Sequence, residues 1–530
     1  MPVVLDKRGA GEARPGDLAV VQTGRGRARL EHVLGPADAI ETVLEGLLVE
    51  TGARVRHEPY AARAPSLEGR VDLRGELAFT IDPETAKDFD DALTFSREGD
   101  GVRAFVHIAD VSWFVPAGTP LDDGAAERSF SVYVPGLVAP MLPLELADDL
   151  CSLRPHEDRL CVTVEFPPDG PPTFYRSVIR SRARLTYGQA ERILAGSEPA
   201  EPELTEALRL ADEVATDLRR RRFDRGALRI ESGEIEFRFD GEGGVADAYR
   251  AAEPHAHVLV EELMIRANEA VAHLLSTRRR EALYRVHERP DPQAVALLLS
   301  KLSDLDVPTP PAPELEQLGE AQAAQLAAAA AESVTDYVAR SKRGREAFPM
   351  LVLRALKQAR YDKRNLGHSG LASRAYCHFT SPIRRYPDLV CHRALLRELG
   401  AGDEPLPDEL AELGDHASER ERAAAQIEYR ADEICLAWLL EARLFELGWE
   451  QVFDGEIIGA IGAGIFVRFG DVFEGFLPAR RLPGEYFELN DLGTALVGRR
   501  SGRRYRLGDG IAVRVESVDR AAGKVEVSPP

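Results

Sequence analysis

The sequence predicts an α+β protein of several domains: a small N-terminal module, a large mixed domain and a C-terminal five-stranded β-barrel of the OB type. Three observations predict this class. The chain has 530 residues, which is too long for one hydrophobic core. Strand-like and helix-like segments alternate from residue 71 to residue 395. After Gly448 the pattern changes to short strands separated by Gly and Asp turns.

Residues 1–70 form the predicted accessory module. The segment DLAVVQ is typical of a strand, and the segment GPADAIETVLEGLLVETG is typical of a helix. Apolar residues of the second segment recur at helical spacing: Ile40, Val43, Leu44, Leu47 and Leu48. The module is too short for two barrel domains. The sequence leaves open whether it is a truncated OB-type barrel or a compact helical unit.

Residues 71–395 are predicted to form the large domain. The segments ELAFTID, RAFVHIADV, RLCVTVEF and EIEFRF are typical of strands. Helical patterns cover four ranges: 203–222, 256–275, 321–332 and 349–361. We expect residues 396–449 to form a helical extension packed on this domain, because EICLAWLLEARLFEL is apolar nearly all round. Residues 450–530 complete the chain as the predicted barrel.

The charge balance limits the classes of partner. The chain carries 67 basic and 88 acidic residues, a formal net charge of −21. This balance speaks against a protein that merely coats nucleic acid or an anionic membrane, so any phosphate-binding surface must be local. The five cysteines form no Cys-x-x-Cys pair, and the chain has neither an apolar leader nor a long apolar stretch. We therefore expect a cytoplasmic protein without a membrane segment.

An acidic string, TIDPETAKDFDDAL, is the most informative motif. It brings four carboxylates within ten positions: Asp82, Asp88, Asp90 and Asp91. Crowded carboxylates repel each other unless cations neutralise them, and oxygen ligands at this density suit magnesium, with manganese as a substitute. The alternative is a solvated acidic turn, which has no need of the apolar Phe89 inside it. The string therefore favours a divalent-ion site.

A basic stretch between Ser341 and Arg385 complements the acidic string. It contains eleven basic residues against Glu346 and Asp362, a local balance of +9. Such a stretch can follow a phosphate backbone, although its arginines could also pair with the surplus acids of the protein. Within it, the phrase HFTSPIRRYPD predicts a stiff turn that holds Arg384 or Arg385. A rigid guanidinium opposite the acidic cluster would neutralise charge on a phosphate.

The predicted barrel carries four phenylalanines on adjacent strands: Phe466, Phe469, Phe473 and Phe476. An arginine cluster follows later in the barrel: Arg499, Arg500, Arg503, Arg504 and Arg506. Aromatic side chains beside basic ones are suited to single-stranded nucleic acid, since bases stack and phosphates follow the charge. We expect about half of the phenylalanines to point into the barrel.

These motifs carry a family resemblance. The strings DLRGELAFTIDPETAKDFDDAL, VHIADVSWFV, SVYVPGLVAPMLPLELADDLCSL, VEELMIRANEAVAHLL, LYRVHERPD and HFTSPIRRYPDLVCHR occur in family order over about residues 71–395. The chain resembles a bacterial member of the ribonuclease II family, which is built on the RNB catalytic domain. Residues from about 450 to 528 are similar to the S1 RNA-binding OB domain that usually follows it.

The resemblance implies processive hydrolysis of single-stranded RNA from its 3′ end to nucleoside 5′-monophosphates by a two-metal mechanism. It implies that the four aspartates hold the metals, that loss of Asp90 most selectively stops cleavage, and that Arg384 is the catalytic arginine. Tyr133 matches an aromatic residue that stacks on the terminal base. Tyr187 and Glu262 match residues that contact the terminal ribose; unaided, the sequence suggests that Glu262 is a helix-surface carboxylate.

Some positions depart from the family pattern. Ile230 stands where some members carry a second stacking aromatic, which predicts a looser clamp on the base. Ser369 and Arg374 stand where an aromatic and an acid are more common, which puts the fine geometry of the RNA channel in question.

Two other functions stay open at this point. One is a catalytically silent RNA-binding protein that keeps the RNB fold, although all four aspartates and Arg384 are present. The other is a metal-dependent DNA nuclease, which Tyr187 and Glu262 make less attractive because the 2′-hydroxyl is specific to RNA. The expected partner is single-stranded RNA, and the expected oligomeric state is a monomer.

Overall fold

The computed structural model describes residues 13–23, 28–53, 57–229, 233, 235–241, 243–250, 254–313 and 317–530. Ile230, which bears on the predicted base clamp, lies outside these residues. Over the ranges just given, no helix is both long enough and apolar enough to cross a bilayer.

The N-terminal module combines a hairpin with a helix. Strands β1 (Asp17–Thr23) and β2 (Ala28–Pro36) pair antiparallel, and helix α1 (Ile40–Glu50) follows. The side chains of Leu44 and Leu48 are completely buried on one face of α1, as their helical spacing predicts. Within the described residues, this region therefore contains one β-hairpin and one helix.

The large domain is built around a six-stranded sheet with the order β3-β10-β4-β5-β6-β9. The long strand β10 pairs with β9 through its first half and with β4 through its second half, so the sheet curls back on itself. Three further strand pairs, β7–β8, β11–β12 and β13–β14, lie outside this sheet. The strands are β3 (Val71–Asp72), β4 (Ala78–Asp82), β5 (Asp91–Glu98), β6 (Gly101–Ala109), β7 (Val132–Val134), β8 (Leu137–Ala139), β9 (Asp158–Phe166), β10 (Thr173–Thr186), β11 (Ile235–Phe239), β12 (Val245–Arg250), β13 (Tyr284–Val286) and β14 (Arg360–Asp362).

Helices α4, α5 and α6 pack on this sheet, and their apolar faces share its core. The helix predicted over 349–361 is too long: it ends at Ala355, because Leu356 adopts an extended backbone and residues 360–362 pair with β13 as strand β14. The helices are α2 (Val111–Phe114), α3 (Pro120–Arg128), α4 (Tyr187–Leu194), α5 (Pro202–Asp224), α6 (His255–Thr277), α7 (Pro292–Asp304), α8 (Glu320–Ser341), α9 (Ala347–Ala355) and α10 (Tyr386–Glu398).

The C-terminal part consists of one long helix, α11 (Leu410–Leu447), and a closed barrel with the order β15-β16-β17-β22-β21. The predicted five-stranded OB barrel is confirmed. A three-stranded sheet, β18-β19-β20, is inserted between β17 and β21. The strands are β15 (Val452–Ile461), β16 (Gly464–Phe469), β17 (Phe473–Pro478), β18 (Phe487–Leu489), β19 (Ala495–Gly498), β20 (Arg504–Arg506), β21 (Gly510–Asp519) and β22 (Lys524–Ser528).

Candidate active site

The acidic string spans the end of one strand and the start of the next. Strand β4 ends at Asp82, and β5 begins at Asp91, so the two carboxylates lie at the same edge of the sheet. Thr186, the last residue of β10, is the register partner of Asp82. Tyr187 follows at the start of α4, which brings this predicted ribose contact to the same edge although it is far away in the chain.

Asp90 is the most enclosed of the four aspartates, with 3% of its surface exposed. Its Oδ1 accepts a hydrogen bond from the Ile383 amide at 2.8 Å, and its main-chain carbonyl accepts one from the Ala109 amide at 2.9 Å. Its Oδ2 lies 3.5 Å from Nε of Arg384. The fold therefore joins the acidic string to the turn formed by residues 380–385, the TSPIRR turn.

The TSPIRR turn separates the two arginines that the sequence could not distinguish. Asp388, in the first turn of α10, accepts hydrogen bonds from the Ser381 amide at 2.8 Å and from the Arg385 guanidinium at 2.7 and 3.0 Å. Arg385 is thereby committed to a local ion pair. The Arg384 side chain is 49% exposed and faces Asp90, so it is the arginine available to a phosphate beside the acidic string.

The carboxylates carry an electrostatic strain that a cation would relieve. Burial raises the pKa of Asp82 to about 8, and the charge of Asp91 adds to this rise. Burial likewise raises the pKa of Asp91 to about 6 and the pKa of Asp90 well above its ordinary value. Within the described residues, Asp82 Oδ2 and Asp90 Oδ2 are buried without a hydrogen-bond partner. Buried, unpartnered oxygens at raised pKa fit a hard divalent cation.

The positions of the carboxylates do not form a complete metal-binding site. Among the residues with described positions, no group of three His, Cys, Asp or Glu side chains is arranged to hold a metal ion. Mutual repulsion between uncompensated carboxylates works against such a grouping. The donor set fits a divalent ion by its chemistry, and the ions themselves would supply the attraction that draws the ligands together.

Tyr133 lies beside the acidic string. Its hydroxyl donates a hydrogen bond to Asp88 Oδ2, and its amide donates one to Glu428 Oε1 of α11 at 2.9 Å. Burial, and then the negative charge of Asp88, raise the pKa of the Tyr133 hydroxyl, which therefore keeps its proton at neutral pH. The residue is half-buried rather than part of the core.

The two predicted ribose contacts, Tyr187 and Glu262, both involve helix α6. Tyr187 packs against this helix, and Glu262 is part of it. The ring of Tyr187 makes an edge contact with the ring of His257, with 5.2 Å between centroids. Glu262 is 2% exposed and pairs with Arg222 of α5 at 2.5 Å. The unaided expectation of a helix-surface carboxylate at Glu262 is therefore wrong, because Arg222 compensates its charge inside the domain.

The barrel divides its phenylalanines into two pairs. Phe469 and Phe473 are 1% and 2% exposed and belong to the core. Phe466 and Phe476 are directly opposite each other on β16 and β17, partly exposed, with 5.1 Å between ring centroids. They form an aromatic platform on the outside of the barrel.

The arginine cluster of the barrel is less available than the sequence suggests. Arg499 pairs with Glu488, and Arg506 pairs with Asp306 at 2.7 Å and with Asp509 at 3.1 Å. These arginines lie on or beside the inserted sheet β18-β19-β20 rather than on the barrel strands of the aromatic platform. The expected basic rim is thus largely neutralised by nearby acids.

The sequence did not identify three residues that support the site: Arg222, Asp388 and Glu428. Asp388 could have been found, since an acid three residues after Arg385 at the start of a helix can fold back onto the turn. Arg222 and Glu428 had no local signal, because their partners lie 40 and 295 residues away in the chain.

Comparisons with known proteins agree with this architecture. The model of the RNB domain matches residues 70–400, and the model of the S1 RNA binding domain matches residues 447–528. Ribonuclease R of Escherichia coli (strain K12) is 36% identical over 513 residues, covering 92% of this chain and 60% of the relative. Ribonuclease R of Aquifex aeolicus is 34% identical over 558 residues, covering 99% of this chain and 76% of the relative. The chain thus spans about three-fifths of the length of the Escherichia coli relative.

A solved structure shares the fold over the full chain. Mycoplasma genitalium RNase R in complex with ribose methylated single-stranded RNA superimposes with a TM-score of 0.89 at 24% identity, covering 100% of this chain and 85% of that protein. The same arrangement of domains therefore exists in a protein that was solved with RNA bound.

Proposed function

The chain belongs to the RNB family, and from this premise we propose that it is a processive hydrolytic exoribonuclease. It shortens single-stranded RNA from the 3′ end and releases nucleoside 5′-monophosphates. The observation that carries the proposal is the approach of Arg384 Nε to within 3.5 Å of the Asp90 carboxylate, beside carboxylates with raised pKa values.

The proposed cofactor is a pair of magnesium ions, for which manganese can substitute. Asp82, Asp88, Asp90 and Asp91 are the proposed ligands. The assignment is supported by one buried oxygen each of Asp82 and Asp90 that has no hydrogen-bond donor among the described residues. When bound at these residues, such a pair of ions would supply the activation of a water molecule and the positive charge that stabilises the leaving 3′-oxygen.

Arg384 is proposed to hold the scissile phosphate. Its guanidinium is charged at every physiological pH, and it matches the non-bridging oxygens of a phosphate in shape. The TSPIRR turn is held by the Asp388 hydrogen bonds before any substrate arrives. Little reorganisation is then needed when negative charge develops on the phosphate, which is the condition under which a fixed cation is most effective.

The remaining predicted contacts are assigned to the RNA. Tyr133 is proposed to stack its ring on the terminal base, and Tyr187 and Glu262 are proposed to read the terminal ribose through its 2′-hydroxyl. The exposed platform of Phe466 and Phe476 is proposed to stack on bases further from the 3′ end. Together these residues distribute binding over two domains, so the RNA can stay bound between successive cuts.

We further propose that the protein acts as a monomer in the cytoplasm and has no membrane partner. Analytical ultracentrifugation at micromolar concentration tests this; a dimer would contradict it.

The proposed activity is tested with a 5′-labelled oligoribonucleotide and purified protein. After treatment with EDTA and addition of magnesium, we expect a single short limit product and nucleoside 5′-monophosphates in the chromatogram. An oligodeoxyribonucleotide of the same sequence is the control, and it should remain intact. Labelled fragments of random length would contradict an exonuclease. Tight RNA binding without any cleavage would instead support the silent RNA-binding protein.

A further inference from the structure

Tyr133 is held at both ends by residues that are remote in the chain. Its amide is anchored to Glu428 on the long helix α11. Its hydroxyl reaches Asp88 in the loop between β4 and β5. Because strand β7 is only three residues long, these two hydrogen bonds do much to fix where the ring lies. The ring that the proposed function gives to the terminal base is therefore tied directly to the acidic string.

The backbone position of Asp88 is less well supported than those of the other three aspartates. Asp82 and Asp91 belong to paired strands, and Asp90 is held by the Ile383 amide. Asp88 is half-buried in the connecting loop. In the part of the chain that the structure describes, the Tyr133 hydroxyl is the one hydrogen-bond donor to its carboxylate. The direction of the Asp88 side chain therefore depends on Tyr133 more than on its own backbone.

Electrostatics would otherwise turn this carboxylate away from the site. The charge of Asp88 acts on both Asp82 and Asp90, where it adds to the rise in their pKa values. Repulsion of this kind favours a rotamer that points to solvent. The hydrogen bond that the Tyr133 hydroxyl donates to Asp88 Oδ2 opposes such a rotation, because the rotation would break it.

We propose that the Tyr133 hydroxyl is a positioning group for Asp88 and so contributes to divalent-ion affinity, in addition to the stacking of its ring on RNA. This rests on the proposed function, in which Asp88 is an ion ligand. Loss of a hydrogen-bond partner that orients a ligating side chain typically weakens metal binding by roughly 10–100-fold. One residue then contacts both the terminal base and an ion ligand, so RNA binding and ion binding affect each other reciprocally.

The test separates the hydroxyl from the ring. Tyr133→Phe removes the hydrogen bond to Asp88 and keeps the aromatic face. Binding of manganese chloride alone, without RNA, is followed by the electron paramagnetic resonance signal of the free ion. We expect the dissociation constant for Mn²⁺ to rise about tenfold or more, the range for loss of an orienting partner. In EDTA, Tyr133→Phe should keep the RNA affinity of the wild type, whereas Tyr133→Ala should lose affinity.

Tyr175→Phe is the matched control. It removes the same kind of hydrogen bond, from a tyrosine hydroxyl to the Glu165 carboxylate at 2.8 Å, in the part of β10 that pairs with β9 rather than with β4. Its Mn²⁺ affinity should equal that of the wild type. A weakening of the same size in Tyr175→Phe would overturn the inference, since the effect would then be general destabilisation.

The remaining outcomes distinguish the inference from the proposed function. Equal Mn²⁺ affinity in the wild type and Tyr133→Phe would overturn the positioning role and leave the proposed exoribonuclease intact. Loss of RNA affinity by Tyr133→Phe in EDTA, to the level of Tyr133→Ala, would overturn the inference too, because the hydroxyl would then serve RNA directly. A wild-type protein that binds no Mn²⁺ would remove the ion site of the proposed function and the inference with it.

Discussion

The two neighbouring arginines of the TSPIRR turn differ in what surrounds them. Arg385 is paired with Asp388, a completely buried carboxylate, whereas Arg384 is half-exposed and meets Asp90 at 3.5 Å. The same residue type can therefore serve stability at one position and substrate at the next. This difference leads to opposite expectations for the two alanine variants.

Replacing Arg384 with Ala should lower the rate of RNA cleavage by about 10²–10³, the usual loss for one preorganised donor at a reacting centre, with little change in melting temperature. Replacing Arg385 with Ala should instead lower the free energy of unfolding by about 3 kcal/mol, because Asp388 would be left buried without its cation. Single-turnover cleavage and urea unfolding of both variants check this. An Arg385→Ala protein of wild-type stability would contradict the assignment.

The acidic string predicts a pH-dependent effect on stability in the absence of divalent ions. The raised pKa of Asp82 means that the folded state holds its proton more tightly than the unfolded state does. The stability contributed by the neutral form is complete below about pH 4 and is lost as the pH rises through about 8. In EDTA at pH 8.5, the melting temperature of Asp82→Asn should therefore be roughly 2–4 °C higher than that of the wild type. At pH 4 the two melting temperatures should be equal.

Magnesium provides the control for this prediction. It should raise the melting temperature of the wild type at pH 8.5 more than that of Asp82→Asn, since the proposed ligand is missing from the variant. A variant that melts below the wild type at pH 8.5 in EDTA would show that the Asp82 carboxylate is stabilising rather than strained.

At the scale of single residues, the sequence was most informative where the chemistry was local. The string around Asp90 and the turn before Arg384 could be recognised because each is continuous in the chain. The choice between Arg384 and Arg385 could not be made, since it depends on the buried orientation of Asp388. Glu262 was misjudged unaided for a similar reason: its partner, Arg222, lies on another helix.

At the scale of elements, the barrel is joined to the large domain through helix α9. The side chain of Glu346, the residue just before α9, makes no capping hydrogen bond. Glu456 of β15 accepts hydrogen bonds there from the amides of Arg345, Glu346 and Ala347, at 3.0, 3.2 and 3.2 Å. A carboxylate at a helix N-terminus satisfies free amides and interacts favourably with the helix dipole. The cap of this helix is thus supplied by another domain.

Glu456→Ala should destabilise the joint between barrel and large domain. We expect a loss of about 1 kcal/mol, as for other helix caps, and faster hydrogen exchange at the three amides. Glu450→Ala is the matched control, because Glu450 is an exposed acid beside the same barrel that pairs only with Arg514 among the described residues. Unchanged exchange at residues 345–347 in Glu456→Ala would contradict the capping role.

The elements themselves were predicted with mixed success. Strongly periodic segments such as α5 and α6 formed as expected, because their apolar faces pack on the sheet. The helix predicted over 349–361 was too long, since pairing of β14 with β13 competes with helix at its C-terminal end. From the sequence, the arginines after residue 498 were expected to form a basic surface beside the aromatic platform. Carboxylates on α7 and in the loop that follows it, Asp304 and Asp306, changed that interpretation.

At the scale of the whole molecule, RNA binding has to overcome a net charge of −21. The basic stretch that ends at Arg385 keeps exposed cations, among them Lys357 and Lys363, for which no ion pair is present within the described residues. RNA affinity should therefore fall about tenfold or more between 50 and 200 mM KCl, as cations leave the phosphates on binding. A neutral solute at equal osmolarity should have no such effect. A salt-independent affinity would mean that stacking alone holds the RNA.

The central claim is that Asp90 and Arg384 act on the same phosphodiester while other residues hold the RNA. The most direct measurement uses one labelled oligoribonucleotide with the wild type and Asp90→Asn: single-turnover cleavage in magnesium, and equilibrium binding in EDTA, where the RNA stays intact. We predict that Asp90→Asn binds RNA with nearly the wild-type dissociation constant and releases no mononucleotides. Cleavage by Asp90→Asn at the wild-type rate, or a parallel collapse of its RNA affinity, would contradict the account.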